Sequence, residues 1–318
     1  MLPNVLQPNA TDHVPVLAAE VRECLAVHPG DTVVDATFGA GGHAALLAAD
    51  LQGSGKLIAI DRDPVARTYF EALERRERVQ ARLLRGDFGI VLPQLAANGV
   101  QADAILLDLG VSSMQLDRPE RGFSYSVDAP LDMRMDTSQE LSARDIVNEW
   151  PEGELVSVFR RYGEERYARQ IAKAIVRRRK EQAFERTGEL VDTIKSSIPA
   201  PARFGEGHPA KRVFQALRIE VNDELGALER ALPAALEMLR PGGRLAVISF
   251  HSLEDRIVKQ FLRKQEHGCT CPPDFPVCVC GSEATMRATP RRAVRPSAAE
   301  VARNPRAQSA RLRVGTRV

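Results

Sequence analysis

Asp35, Asp61 and Asp108 share one setting: each closes a short apolar run, in TVVD (32–35), LIAID (57–61) and AILLD (104–108). A carboxylate offers lone pairs for about four hydrogen bonds and a full negative charge, so at the end of a buried strand it can take the hydroxyls of a sugar or face a cation. Between the first two lies TFGAGGH (37–43), with glycines at 39, 41 and 42. Glycine suits such a turn because a side chain would keep the backbone away from a ligand lying across it. Asp61 follows Gly41 by twenty residues, a place from which a second-strand carboxylate accepts both hydroxyls of a ribose. The pair reads as a nucleoside-binding site. The plainer alternative, a tight strand-to-helix turn without a ligand, covers the glycines only.

Two nucleosides compete for that site. Gly39-x-Gly41-x-x-Ala44 followed by Asp61 also satisfies the dinucleotide fingerprint, which would make the chain an NAD-dependent oxidoreductase. Asp35 points the other way. It stands four residues before the first glycine, where a carboxylate can face the amino group of S-adenosylmethionine but would repel a pyrophosphate held on a helix N-terminus. The later segment LRPGGRLAVISF (239–250) adds a helix end, a turn and a strand in the order of class I methyltransferases.

The elements that must position these groups alternate along the first hundred residues. Helical spacing over 15–27 precedes a strand at 31–35. The glycine turn leads into a helix through Ala49, and strand, helix and strand follow at 56–61, 64–78 and 81–85. A helix at 88–98 and a strand at 103–108 complete the rhythm, which implies right-handed βαβ units and a parallel sheet. From Leu116 to about Pro209 the β-branched runs stop, and 142–149, 152–162, 164–182 and 187–198 carry helical apolar spacing. Lys211–Leu239 reads as one or two long helices ending at the PGG of 241–243, followed by a strand at 244–250 and a helix at 252–266. RLRV (311–314) reads as an edge strand. The expected architecture is therefore α/β, a class I (Rossmann-like) sheet with an inserted all-helical domain: 1–115 with 210–318 form the methyltransferase domain, interrupted by 116–209 as a helical substrate-recognition domain.

Composition sets the outer bounds. A hydrophobic share of 44% with 27% charged residues is ordinary globular chemistry. No run of about 18 apolar residues occurs, so no membrane helix is expected, and Met1–His13 lacks the pattern of a secretory signal. A cytoplasmic protein is the expectation. The net charge of +2 hides an asymmetry: residues 285–318 hold nine arginines and one acid, Glu300, so that segment carries +8 and the remainder −6. Arginines without acids repel one another unless an anion is near. That segment and Arg177-Arg178-Arg179-Lys180 are the candidates for phosphate contacts, each against the alternative of a solvated charged face.

Many segments resemble one known family. DATFGAGGH (35–43), AIDRDP (59–64), LLDLGVSSMQLD (106–117), RGFSY (121–125), PLDMRMD (130–136), YGEER (162–166), FQALRIEVNDEL (214–225), ISFHSLEDRIVK (248–259) and NPRAQSARLR (304–313) make the chain similar to the bacterial small-subunit (16S) ribosomal RNA cytosine-N4 methyltransferases, from about His13 to Val314. The resemblance implies a class I fold with a helical domain after the fourth strand, S-adenosylmethionine as cofactor, and methylation of the exocyclic amine of a decoding-centre cytosine. It implies cofactor contacts at Gly41, Gly42, His43, Asp61, Phe88, Asp108 and Gln115. It implies the 16S ribosomal RNA within the small subunit as partner, with no DNA, no membrane, and a homodimer as an option.

The same positions can be read physically. Phe88 can wall an adenine or serve as a core aromatic of its helix. His43 reads as a contact at a helix start rather than as a catalyst. Methylating a cytosine amine requires acceptors for its N–H groups, because the nitrogen lone pair is delocalised into the ring. The segment after the fourth strand, Asp108-Leu109-Gly110-Val111-Ser112-Ser113, lacks the Asn/Asp-Pro-Pro-aromatic pattern of many amino-methyltransferases. The candidates are Asp108, the main chain at 109–110, Ser112 and Ser113, with Asp132, Asp136, His251 and Glu254 more distant. Asp108 is the catalytic choice. With aromatics at 5%, arginine rather than stacking should hold the RNA. Cys269-x-Cys271 and Cys278-x-Cys280 are spaced more tightly than thiolate zinc pairs usually are, so a surface loop is favoured and no metal is assigned. A ribosome-binding factor that retains the cofactor fold without catalysis is the third reading.

Overall fold

The computed structural model describes residues 15–203, 207–268, 271, 277 and 280–318. Cys269 and Cys278 lie outside them, so the four-cysteine reading is not addressed. Along the chain the elements are α1 (Ala18–Leu25), β1 (Thr32–Asp35), α2 (Gly42–Asp50), β2 (Lys56–Asp61), α3 (Ala66–Arg76), β3 (Gln80–Arg85), α4 (Phe88–Ala97), β4 (Ala102–Asp108) and α5 (Ser113–Leu116). Then come α6 (Ala143–Glu149), α7 (Glu152–Arg161), α8 (Ala168–Arg178), α9 (Thr187–Ser197), α10 (Ala200–Arg203), α11 (Lys211–Asn222) and α12 (Glu224–Met238). The chain closes with β5 (Leu239–Ser249), α13 (Ser252–His267), β6 (Met286–Ala288), α14 (Ala298–Arg303) and β7 (Arg311–Arg317).

The chain divides into two compact units, 1–110 with 226–318, and 111–225. The first carries one seven-stranded sheet in the order β3-β2-β1-β4-β5-β7-β6. The pairs from β3 to β5 are parallel, and β7 runs antiparallel to both β5 and β6. Strand alternation explains why both faces are covered. Val34, Ile58, Ile60, Ile105 and Leu107 point into one apolar cluster with Leu92 and Leu228, and Val33, Leu57, Ala59 and Leu106 point into another with Leu47 and Phe70. This is the class I α/β sheet, with the order reversing at β1, where open parallel sheets leave a crevice at the carboxyl ends of the strands.

Two expectations are corrected in this unit. Arg311–Val314 is no edge strand: β7 is interior, paired to β5 through Ser249–Arg311 to Arg244–Thr316 and on its other side to β6, which forms the edge. Nor does PGG form a free turn after the helix. α12 runs directly into β5, and Pro241–Gly243 lies within the strand, where its pairing with β4 shifts register between Ala102–Leu239 and Ala104–Arg244.

The second unit is helical, with an isolated bridge between Pro130 and Arg186 as its β pairing among the described residues. Its core joins Leu155, Phe159, Ile171, Ile175, Phe184, Ile194, Phe214 and Leu217, all at most 3% exposed. α11 belongs to this core through Val213, Phe214, Leu217 and Val221, so the unit is wider than the 116–209 read from the sequence. Asp223, at φ +47°, separates α11 from α12 and resolves the long 211–239 helical stretch into two helices. No helix among the described residues is long and apolar enough to cross a membrane.

Candidate functional site

The three aspartates meet where the sheet order reverses. β1 lies between β2 and β4, so Asp35, Asp61 and Asp108 end three neighbouring strands that stand about 4.8 Å apart. Backbone groups of the following loops bind them. The N–H of Thr37 donates to Oδ1 of Asp35 at 3.1 Å. Asp61 accepts from Gly39 N–H on Oδ2 at 2.6 Å and from Asp63 N–H on Oδ1 at 2.8 Å. Thr37 Oγ1 accepts from the N–H of Asp108 at 2.6 Å, tying the first loop to the end of β4.

The glycine turn is shaped as much by its own packing as by any ligand. Gly41 has φ +79°, and a Cβ on it would sit 2.8 Å from the Phe38 ring, so glycine is required whether or not anything binds. A Cβ on Gly42 would make only ordinary contact with Pro15, at 3.4 Å. His43 follows in the first turn of α2, 5% exposed, with Nε2 3.7 Å from Oδ2 of Asp108. Burial pushes its pKa down to about 4, so the ring is neutral near pH 7.

The carboxyls move the opposite way. Burial raises Asp108 to about 8, with the neighbouring Asp35 and Glu254 adding to it. Burial also raises Asp35 to about 7, against the hydrogen bond from Thr37 and with the charge of Asp61. Asp61 is raised by burial despite its hydrogen bonds from Asp63 and Gly39. Oδ1 of Asp108 is occluded and has no hydrogen-bond partner, while its side chain as a whole keeps 27% exposure: it forms the floor of an opening rather than part of a sealed core.

The remaining sequence candidates divide between the units. Phe88 opens α4 behind Asp87, whose side chain accepts from Gly89 N–H at 2.6 Å and caps the helix. Arg62 bridges to Asp87 at 2.8 Å and lies 5.9 Å over the Phe88 ring. That pair holds Phe88 in place, and sequence reading missed it because the ion pair spans two loops. Gln115 lies in the second unit on α5, buried, with Oε1 accepting from Ser112 N–H at 3.1 Å. The distant candidates are occupied structurally. Asp132 holds Arg134 through both oxygens, Asp136 accepts from Ser138, and His251 with Glu254 forms the capping box of α13.

S-adenosylmethionine can be tested against this chemistry. Asp61 uses one lone pair on each oxygen for backbone N–H groups, which leaves acceptors for two ribose hydroxyls. Burial favours the protonated forms of Asp35 and Asp108, a cationic ligand would favour their ionised forms, and one Asp108 oxygen lacks a partner. Arg62, next to Asp61 in the chain, is engaged by Asp87, and a pyrophosphate at the strand ends would meet the three aspartates. The residues fit S-adenosylmethionine and do not fit NAD.

Comparison with known proteins agrees. A family model described as the MraW methylase family matches residues 10–318. The chain is 53% identical over 309 residues to the ribosomal RNA small subunit methyltransferase H of Heliobacterium modesticaldum, covering 96% of this chain and 98% of that protein. It is 54% identical over 307 residues to the protein of that name from Symbiobacterium thermophilum, covering 96% of each. With that of Geobacter sulfurreducens it shares 51% over 314 residues, covering 96% of this chain and 99% of the other.

Proposed function

The chain belongs to the MraW methylase family and is an S-adenosylmethionine-dependent methyltransferase, and from that premise we propose that its acceptor is the exocyclic N4 amine of a decoding-centre cytosine in small-subunit ribosomal RNA. The reading implies a cytoplasmic setting, at the ribosome. The observation that carries the chemistry is Oδ1 of Asp108, a buried acceptor without a partner at the end of β4.

S-adenosylmethionine, when bound, supplies a methyl group already activated on a sulfonium. The protein's task is to hold the two reactants, an alignment worth up to roughly 7–11 kcal/mol. With it bound, Asp61 would hold the ribose, Asp35 would face the cationic amino group, and Phe88, fixed by Arg62, would wall the base. The cytosine must leave its stack to reach the crevice, which costs a few kcal/mol. Asp108 accepts an N–H of the amine, which turns the nitrogen lone pair out of the ring plane. The proton that leaves when the nitrogen gains a substituent passes to the Asp108 carboxylate, whose side chain keeps 27% exposure. A carboxyl raised to about 8 when free is a competent base near neutral pH once a cation beside it has favoured its ionised form. His43, neutral and 3.7 Å away, supports Asp108 without adding charge.

Asp108→Asn tests this directly. The variant is isosteric and relieves the burial of an acid, so it should fold. Single-turnover methyl transfer at saturating cofactor should fall about 10²–10⁴-fold, the range of a lost general base. A rate within a few-fold of the parent would remove Asp108 from the acceptor role. NAD binding in place of S-adenosylmethionine would overturn the cofactor reading.

A further inference from the structure

The helical unit carries a basic groove that the chemistry described so far does not use. α7 and α8 pack through Leu155, Val158 and Phe159 against Ile171, Ala172 and Ile175, all buried, which turns their polar faces outward. Between those faces lies a groove of about 480 Å³, lined among others by Glu152, Val156, Arg160, Arg169, Gln170 and Lys173. Three cations face one acid there. Arg177 extends the row, so that Arg169, Lys173 and Arg177 stand at four-residue intervals on the exposed side of α8. Four residues of helix rise about 6 Å, close to the step between successive phosphates along an RNA strand.

None of Arg160, Arg169, Lys173 and Arg177 has an acidic partner among the described residues. Their neighbours in sequence behave differently. Arg178 lies 4.4 Å over the Phe184 ring and 3.6 Å from Glu189, and Arg179 donates to the Val147 carbonyl at 2.8 Å. The 177–180 run therefore splits, with its middle turned to structure, while the unpaired cations follow the helix face and not the sequence run. Unpaired like charges along one wall repel one another, and a polyanion laid in the groove relieves that repulsion. Two walls, a concave surface and a phosphate-matched period favour an RNA backbone over a single small anion.

We propose that the α7–α8 groove, through Arg160, Arg169, Lys173 and Arg177, binds the phosphodiester backbone of the ribosomal RNA substrate. It rests on the RNA reading above for the identity of the strand.

The test uses the full chain with naked small-subunit ribosomal RNA and with intact small subunits. Binding is followed against salt for the parent, for Arg169→Gln/Lys173→Gln, and for Arg160→Gln/Lys173→Gln, which removes one charge from each wall. Arg75→Gln/Arg76→Gln on α3 removes two charges elsewhere as a control. Circular dichroism and S-adenosylhomocysteine affinity check each fold. Each groove pair should weaken RNA binding by about 10–30-fold near physiological salt and lower the slope of log affinity against log salt by about 1.4–1.8, with cofactor affinity unchanged. Groove variants that bind like the parent, or a control that weakens binding equally, would overturn the proposal. If the parent binds RNA through the groove but methylates none, the groove stands and the substrate reading falls. If the parent methylates and the groove variants match it at every salt, the reverse holds.

Discussion

At the scale of single residues, the site holds two acids, Asp35 and Asp108, whose neutral forms burial favours until a cation arrives. Asp108, at about 8, and Asp35, at about 7, are largely protonated near pH 6 in the free protein. A cationic ligand favours their ionised forms, so binding releases protons, and S-adenosylmethionine affinity should rise with pH and level off near 8. The rise is at most about tenfold per pH unit for each proton released. Calorimetric titration between about pH 6 and pH 8 measures it; a flat profile would contradict the electrostatic reading. Stability of the ligand-free protein runs the other way. Both folded values lie above the ordinary carboxyl value of 3.8, so their contribution is whole below about pH 4 and is lost as pH rises through 7 and 8. The strand-end aspartates and the glycine turn were legible in the sequence because their chemistry follows from local position. The Thr37–Asp108 hydrogen bond and the Arg62–Asp87 pair were not, since each joins segments that come together only when the sheet forms.

At the scale of elements, the arginine-rich C-terminal segment is partly structural. Asp255 on α13 binds Arg313 at 2.7 Å and Arg311 at 2.9 Å, and Arg317 donates to the Leu236 carbonyl at 2.5 Å. Burial pushes the Asp255 carboxyl up, but the hydrogen bonds from Arg313 and Arg311 outweigh it and hold the group below the usual carboxylate range. Three of the nine arginines thus serve the sheet. Glu300, the lone acid of the segment, accepts from Leu17 N–H at 2.8 Å and holds the entry to α1. Truncation after Gly281 should therefore abolish cofactor binding along with RNA binding, because it strips β6 and β7 from β5. Asp255→Ala should cost about 1.5–3 kcal/mol, as expected when charge-assisted hydrogen bonds to partly exposed arginines are lost. Thermal unfolding and cofactor titration of both variants check this; a truncated chain that binds cofactor normally would contradict it. Periodicity made the elements readable, since apolar runs and helical spacing are local. The interior place of β7 was not readable, because strand order is fixed by long-range pairing, as was the absorption of Pro241–Gly243 into β5.

At the scale of the whole molecule, a net charge of +2 averages two kinds of surface chemistry. The sheet unit gathers acids at its strand ends, suited to a nucleoside that carries positive charge. The helical unit displays unpaired cations on α7 and α8, suited to a polyanion. S-adenosylmethionine asks for the first surface, and the proposed RNA substrate asks for the second. The most direct measurement is methyl transfer from labelled S-adenosylmethionine to isolated small subunits, with the modified nucleoside identified by mass and fragmentation. The account predicts a single methyl group on the exocyclic N4 of a cytosine, lost with Asp108→Asn. Methylation of a ring carbon or of another base, or transfer that persists undiminished without the Asp108 carboxylate, would contradict it.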